Sequence, residues 1–389
     1  MIVIALCWVV ALVVSIPLAM FVVECVASVF YRHRHVPPQD VIAAVLIPAH
    51  NEESGLGATI AALTPQLGED DVIVVVADNC TDGTADIARQ AGCVVLERAD
   101  ASNRGKGFAL AYGIDHLREC PPQVVVIVDA DCEVLPGTLA QLKAAAVECD
   151  YPIQANYLLK APPGASLPIK VSEFAVLVKN AVRCRGASVL SIPVPLLGSG
   201  MAFPWADIAD VSIASGEIVE DMKLGIELAC EEKGALYLDH ARVESRLPST
   251  KEALAKQRER WEHGHLGMIH KFSPPVLKAA WKLKSLPLVG FFLDLIIPPL
   301  SLLLVFTVAV FLAFVGLGLL VDVGSAVYLV SFMFCAVVAT VLAVWWVQGR
   351  DILAPKELAA MPLYVLSKFG IYTGFMKRKQ TEWQRTDRD

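Results

Sequence analysis

The sequence predicts an α/β chain: a mostly parallel sheet domain joined to about three transmembrane helices, with interfacial helices beside them. Three observations predict it. Charged residues make up only 19% of the 389 and apolar ones 55%, whereas an ordinary soluble protein carries about 25% charged residues. The mean hydropathy is +0.54, and the apolar excess is gathered into long charge-free runs at the two ends. Between them, short Val/Ile-rich runs alternate with stretches of helical character.

The first run, Ile2 to Val23, holds 22 consecutive uncharged residues. As a helix it extends about 33 Å, enough to cross a bilayer. No cation precedes it and no small-residue cleavage site ends it, which favours an anchor over a cleaved signal peptide. Arg32 and Arg34 follow the run. The positive-inside rule then puts the N-terminus outside and the next domain in the cytosol. The expected location is an inner or plasma membrane, with residues 1–30 as the anchor.

From Ala43 to Arg246 the pattern changes. Ala43–Ile47, Val72–Ala77 and Val124–Val128 read as strands; Gly57–Leu63, Thr84–Ala91, Gly107–Leu117 and Leu135–Cys149 read as helices. Short apolar strands alternating with helices imply a parallel sheet covered on both faces. Ligands of such sheets bind beyond the carboxyl ends of the strands. His50-Asn51-Glu52, Asp78 and Asp129 each follow a strand's end. The whole domain is expected over 41–270.

Apolar character returns at Leu286. Residues 281–300 contain Asp294 and Pro298-Pro299 and read as an interfacial or broken helix. Ser301–Val321 and Val323–Val347 are charge-free, separated by Asp322, and read as a transmembrane hairpin over 301–347. Met361–Phe375, interrupted by Lys368, reads as an interfacial helix. The tail carries Lys377, Arg378, Lys379, Arg385 and Arg388. One span in and a hairpin out and back brings this basic tail, within 355–389, to the cytosol, in agreement with the first charge argument.

Composition excludes several classes. A net charge of −7 offers no basic field for nucleic acid. The 10 cysteines are irregularly spaced and form no C-x-x-C pair. That argues against a zinc ribbon or a disulfide framework and suits reduced thiols. There are no internal repeats and no low-complexity segments.

The run Val124-Val-Val-Ile-Val-Asp-Ala-Asp131 ends a strand in two carboxylates. Paired carboxylates can hold Mg²⁺ or Mn²⁺ beside a diphosphate, since hard cations prefer oxygen ligands. On its own a D-x-D is as readily a turn or a helix cap. Its neighbours add weight. Ile47-Pro-Ala-His50-Asn-Glu52-Glu53 is followed by Asp78-Asn-Cys-Thr-Asp-Gly-Thr84, a polar loop suited to a base and ribose, or equally a helix cap by Thr81 or Asp82. Asn103-Arg-Gly-Lys106-Gly107 offers a glycine-flanked cation for phosphate or sugar, or a solvated loop. Glu220-Asp221 can supply a base, or simply suit a helix N-terminus. Arg260 and Trp261 are read as functional in this context. His263, His265 and His270 do not match a closed zinc site and are assigned to packing or the membrane interface. Asn79-Cys80-Thr81 fits a glycosylation sequon, which the inferred cytosolic side disfavours.

In order, P-x-H-N-E, D-N-x-T-D-G-T, R-G-K-G, D-A-D, Ile218-Val-Glu220-Asp221 and Gln257-Arg-Glu-Arg260-Trp261 resemble the membrane-bound branch of glycosyltransferase family 2. That branch includes the cellulose, chitin and hyaluronan synthases and ceramide glucosyltransferase. The resemblance spans roughly Val41 to His270. It implies a GT-A-like, Rossmann-type nucleotide-sugar domain. It assigns donor binding to His50, Glu52, Asp78, Lys106, Asp129, Gln257 and Arg260, with Asp78 at the base and Asp129 and Asp131 at the metal, the second being the usual ligand. It makes Asp221 the catalytic base. Gly198, Ser199, Gly200, Glu220 and Trp261 fall on the acceptor side; many relatives have G-T-G where this chain has Gly198-Ser199-Gly200, which leaves acceptor geometry less defined.

The expected activity is inverting, metal-dependent transfer of a sugar from a nucleotide-sugar, UDP being favoured over GDP. The acceptor is a lipid or lipid-linked saccharide at the cytosolic face, in glycolipid or exopolysaccharide synthesis. A single displacement requires one carboxylate to take the acceptor hydroxyl's proton and cations to receive the leaving diphosphate. Three spans look too few for a polymer channel in one chain. A processive synthase working as an oligomer or with a secretion partner is the alternative. A non-catalytic nucleotide-sugar-binding scaffold is the alternative of another class.

Overall fold

In this computed structural model, residues 2–34, 36–37, 39–214, 219–321 and 323–367 are described. The basic tail, Asp322, Lys368 and Ile218 of the sequence reading lie outside them. In chain order the chain begins with α1 (Ile2–Ala27), β1 (Ala43–Ala49), α2 (Leu56–Leu63), β2 (Val72–Asp78), α3 (Thr84–Gln90) and β3 (Val94–Arg98). There follow α4 (Lys106–Leu117), β4 (Val124–Ile127), β5 (Cys132–Val134), α5 (Thr138–Cys149), β6 (Ile153–Lys160), α6 (Leu167–Val176) and α7 (Cys184–Val189). Next come β7 (Met201–Pro204), α8 (Trp205–Ile208), α9 (Glu220–Cys230), β8 (Leu236–Arg246) and α10 (Lys251–Leu283). The last are α11 (Leu286–Leu295), α12 (Leu300–Gly318), α13 (Ala326–Val344) and α14 (Pro355–Ser367).

Two units separate by contact. The sheet unit comprises Arg32–Pro162 and Pro193–Gly264; the apolar-helix unit comprises the residues up to Tyr31, Pro163–Ile192 and those from His265 on. The sequence reading treats 41–270 as one continuous domain. Residues 163–192 depart from it because α6, α7 and the π-helical Leu177–Arg183 between them pack with the apolar helices.

The sheet unit holds eight strands in the order β3-β2-β1-β4-β7-β6-β8-β5. Its first four are parallel: β1 pairs with β2 and β4, and β2 with β3. Every residue of β4 is buried, as is every residue of β1 except half-buried Pro48. Such runs form only where helices cover both faces of the sheet. The other half is mixed. β7 runs antiparallel to both β4 and β6, and β5 antiparallel to β8. These antiparallel strands escape the alternation argument because β5 and β7 are three and four residues long. The helix expected from Leu135 begins at Thr138, because Pro136 and Gly137 intervene and Cys132–Val134 is already a strand.

Among the described residues, the apolar-helix unit contains three helices long and apolar enough to cross a membrane: Ile2–Phe30, Leu300–Gly318 and Ala326–Gly349. Cys7 and Ala11 of α1 pack with Phe314 of α12, with Val323 just before α13, and with Ala326 and Val330 in its first turns. Leu6, Leu12, Val13, Leu312 and Phe332 point outward. This exposed apolar surface is what hydrocarbon solvates and water does not. Buried among the helices, Arg183 donates through Nε to Glu24 Oε2 at 2.7 Å and through Nη2 to Asp294 Oδ1 at 2.5 Å. Glu24 is 0% exposed. Asp294, the charge that suggests an interfacial helix in the sequence, is thus satisfied internally. α11 ends at Leu295, and α12 starts directly after Pro298-Pro299, where proline cannot continue the preceding helix.

Candidate active site

β4 delivers the D-A-D segment. The strand is held at its end by Val128 N–H donating to Leu46 O, and the chain then turns, Cys132 N–H donating to Asp129 O, before pairing with β8. Three hydroxyls fix the turn. Ser199 Oγ accepts the Asp129 N–H at 3.0 Å, Thr59 Oγ1 donates to Ala130 O at 2.8 Å, and Ser245 Oγ donates to Asp131 Oδ2 at 2.9 Å. A short turn fixed at every residue presents its two carboxylates with little freedom to lose on binding.

Among the described residues, one group of His, Cys, Asp and Glu could hold a metal ion. It is Asp129, Asp131 and Cys132, whose ligand atoms lie within 4.8 Å of one another. The two carboxylates fit Mg²⁺ or Mn²⁺. Cys132 does not: burial, aided by Asp129, pushes its thiol up to about 12. It therefore stays a neutral thiol, accepting a hydrogen bond from Ser199 Oγ. The donor set is two carboxylates with room left for water or phosphate oxygens.

Lys106, the first residue of α4, reaches across to this pair. Its Nζ lies 2.5 Å from Asp129 Oδ1, donates to Gly198 O at 2.6 Å and stands 3.9 Å from Glu220 Oε1. Burial alone would favour the neutral amine, but Asp129, then Glu220 and Asp221, outweigh it and hold the lysine above its ordinary pKa. Glu220 and Asp221 open α9, where the helix dipole favours negative charge. Asp221 Oδ1 accepts the Met222 N–H at 2.8 Å, and Asp221 Oδ2 is 3.1 Å from where a Cβ on Gly198 would stand. Burial, then the neighbouring Asp221, pushes Glu220 up to about 7, with Lys106 opposing the shift. Arg260 completes the charged ring: burial lowers its pKa, while Glu220, Asp129 and Asp221 resist.

The loops after β1 and β2 are tied to each other. Asn51 Oδ1 accepts the Thr81 N–H, Glu53 Oε2 the Gly83 N–H, and Asp82 Oδ2 the Glu53 N–H. His50 Nδ1 donates to Asp78 O at 2.6 Å. Asp82 also accepts from Thr84 N–H and Oγ1 at the start of α3. Much of the D-N-x-T-D-G-T loop is therefore spent on its own architecture. Asp78 remains at the wall of the cleft, its Oδ1 bonded to Arg98 Nη1 at 2.6 Å and to Asn79 Nδ2 at 3.0 Å.

A cleft of about 180 Å³ brings together His50, Glu52, Asp78, Lys106, Asp129, Asp131 and Arg260, all predicted from sequence. Seven other predicted residues are not in its wall: Gly198, Ser199, Gly200, Glu220, Asp221, Gln257 and Trp261. Glu220, Asp221 and Gly198 adjoin it through Lys106. Ser199, read on the acceptor side for its hydroxyl, is 0% exposed and turned under Asp129. Gly200, at φ 66°, leaves no room for a side chain: a Cβ would lie 2.8 Å from both Ala155 Cβ and Val243 Cγ2. Gln257 is 1% exposed and Trp261 is half-buried on α10. His263 and His265 are buried and His270 is exposed.

One cation beside the site, Arg98, is missed by sequence reasoning, and Arg104, quoted within R-G-K-G, is given no role of its own there. Arg98, at the end of β3, donates to Asp78, to Asp100 Oδ2 at 2.9 Å and to Asn103 O at 2.8 Å, and lies over the Phe108 ring. Arg104 lines the cleft. The signal for Arg98 is its place at a strand's carboxyl end, but Val94–Arg98 is too short and too mixed to stand out as a strand.

Carboxylates at the carboxyl end of a parallel sheet, beside lysine and arginine, are groups that could hold a metal and a phosphorylated ligand. Residues 38–264 of the 389 match the family Glycosyltransferase like family 2; the chain belongs to that family, and its sheet domain is GT-A-like. It is 24% identical over 315 residues to a probable glucomannan 4-beta-mannosyltransferase 4 of Oryza sativa subsp. japonica, covering 73% of this chain and 55% of that one. It is 32% identical over 107 residues to the low-salt glycan biosynthesis hexosyltransferase Agl6 of Haloferax volcanii, covering 26% and 24%. The chain thus spans about half or less of the length of these curated relatives. Among solved structures, the mannosyltransferase PcManGT of Pyrobaculum calidifontis, in complex with GDP-Man and Mn²⁺, aligns with 86% of this chain and 99% of that one. That alignment has 17% identity and a TM-score of 0.46.

Proposed function

We propose that the chain transfers a sugar from a nucleotide-sugar to a hydroxyl of a lipid or lipid-linked acceptor, with inversion, at the cytosolic membrane face. The observation that carries this reading is the joining of Asp129 to Glu220 and Asp221 through Lys106. A metal-binding strand end and an acidic helix start thereby face one small volume, in a chain of this family.

The residues divide the work. Asp129 and Asp131 would hold Mg²⁺ or Mn²⁺, which when bound neutralises charge on a leaving diphosphate. Asp78, His50 and Glu52 line the end of the cleft suited to the base and ribose. Asp221 takes the proton of the acceptor hydroxyl as its oxygen bonds to the anomeric carbon and the bond to the diphosphate breaks. Lys106 and Arg260 receive the negative charge that develops on the diphosphate. Gln257 and Trp261, one turn apart on α10, support the diphosphate and acceptor ends. The apolar helices and the arginines after the first of them support an integral membrane protein with the sheet unit in the cytosol. A chain anchored in the bilayer supports a lipid acceptor.

A second reading, repeated addition to a growing polysaccharide, is favoured by the likeness to the rice mannosyltransferase over 73% of this chain. Purified protein with Mn²⁺ and a panel of nucleotide-sugars, assayed for metal-dependent stabilisation and then for product mass, tests both. A lipid product one sugar heavier supports the first reading and a ladder of long chains the second. No metal-dependent response to any nucleotide-sugar would remove both.

A further inference from the structure

We propose that Lys106 is a displaceable occupant of the metal site: it holds Asp129 in the ligand-free protein and releases it when a nucleoside diphosphate enters. This rests on the nucleotide-sugar reading above and adds an order to it. Metal alone binds weakly, and nucleotide and metal bind together.

Four observations carry it. First, Lys106 Nζ sits 2.5 Å from Asp129 Oδ1, a carboxylate oxygen that a divalent cation would use. An ammonium at that distance and a divalent cation on the same oxygen would repel each other strongly in a low-dielectric cleft. Second, the lysine is placed among Asp129, Glu220 and Asp221 by the contacts of its own ammonium group, so it is held there by charge. Third, Asp131 Oδ2 accepts at 2.9 Å from Ser245 Oγ, a neutral donor, whereas Asp129 Oδ1 faces the ammonium group of Lys106. Fourth, Lys106 can leave. It follows Gly105, which adopts φ 124° with nothing within 4 Å of where its side chain would be. The ammonium group also sits on a long flexible stem.

An incoming diphosphate supplies the charge that the cluster lacks. It gives the ammonium group an anionic partner other than Asp129 and gives the metal further oxygen ligands. Both changes favour metal on Asp129, so the two ligands bind with positive coupling, and Lys106 sets its size. Lys106 is in this respect a positioning residue for Asp129, in addition to any contact with phosphate.

The test is Mn²⁺ binding to the purified full-length chain, followed by the electron paramagnetic resonance signal of free Mn²⁺. Wild type, Lys106→Met and Asp129→Asn are titrated without nucleotide, with UDP and, separately, with GDP. The expected result is that Lys106→Met binds Mn²⁺ roughly tenfold more tightly than wild type without nucleotide, and that added UDP or GDP improves it less, because a like charge has been removed. Unchanged or weaker nucleotide-free Mn²⁺ binding in Lys106→Met overturns the proposal. Should that variant fail to fold, Lys106→Gln, which keeps a donor for Gly198 O, decides the matter on the same criterion. The Asp129→Asn arm separates this from the parent reading: if it binds Mn²⁺ like wild type in the presence of nucleotide, the assignment of the metal site itself falls.

Discussion

Ser199 Oγ accepts the backbone N–H of Asp129 at 3.0 Å from a position with no solvent exposure. The same hydroxyl donates to Cys132 Sγ, so one side chain braces both ends of the turn that carries Asp129 and Asp131. The glycines on either side let the loop pass this close: Gly200 has no space for a Cβ.

Ser199→Ala should therefore leave the Asp129 N–H buried and unbonded. A lost hydrogen bond of this kind destabilises by about 1–3 kcal/mol. The expected outcome is a lowered midpoint of thermal unfolding together with weaker Mn²⁺ binding in the presence of nucleotide. A variant with unchanged Mn²⁺ affinity would show that the turn keeps its shape without the brace.

Arg98 holds Asp78 on one oxygen and ties it to Asp100 and the Asn103 carbonyl. Arg98→Met should release both the carboxylate and the loop that leads to Arg104. We expect the donor KM to rise by roughly tenfold with a smaller change in kcat, the signature of lost uniform binding. Steady-state kinetics over a range of donor concentrations reads the split.

Glu220 is pushed up to about 7 by burial and by Asp221. The unfolded chain gives up this proton near the ordinary glutamate value, about 4.3, while the folded chain keeps it to about 7. The folded state therefore binds the extra proton between those values, and this residue's contribution to stability falls as pH rises through that window. Above about 7 its carboxylate also adds negative charge beside the proposed diphosphate site. Nucleotide affinity should decline as pH passes through about 7 in wild type, and Glu220→Gln should flatten that step. Nucleotide titrations on both proteins across the range check it.

In the apolar-helix unit, Arg183 bridges Glu24 and Asp294. Arg183→Met leaves two buried carboxylates facing each other without a cation. Breaking a buried charge network in this way destabilises by about 3–5 kcal/mol. Glu24→Gln, which keeps a polar group and removes one of the two like charges, should lose much less. Unfolding of both variants in detergent, followed by circular dichroism, ranks them.

Much of the site is legible in the sequence because its residues follow strands whose character is unambiguous. Val72–Asp78 and Val124–Ile127 are β-branched throughout but for one Ala and one Asp, so residue pattern alone puts Asp78 and Asp129 at strand ends. The parallel half of the sheet follows from the same runs. What stays hidden depends on distant partners. Cys132–Val134 is a strand only because Val243–Ser245 pairs with it, and three residues carry no periodicity of their own. Ser199 reads as an acceptor-side hydroxyl between glycines, and nothing local says that it turns inward to Asp129. Residues 163–192 read as part of the sheet domain because the partners of Arg183, Glu24 and Asp294, lie more than 100 positions away on either side.

That Asp221 removes the acceptor's proton, in a site that holds its donor by other residues, is tested most directly by Asp221→Asn. Donor binding and sugar transfer are measured on the same preparation. Nucleotide-sugar affinity in the presence of Mn²⁺ should stay close to wild type, while transfer falls by at least roughly a hundredfold, the scale of a lost general base. Transfer at an undiminished rate in Asp221→Asn would contradict the assignment of the base.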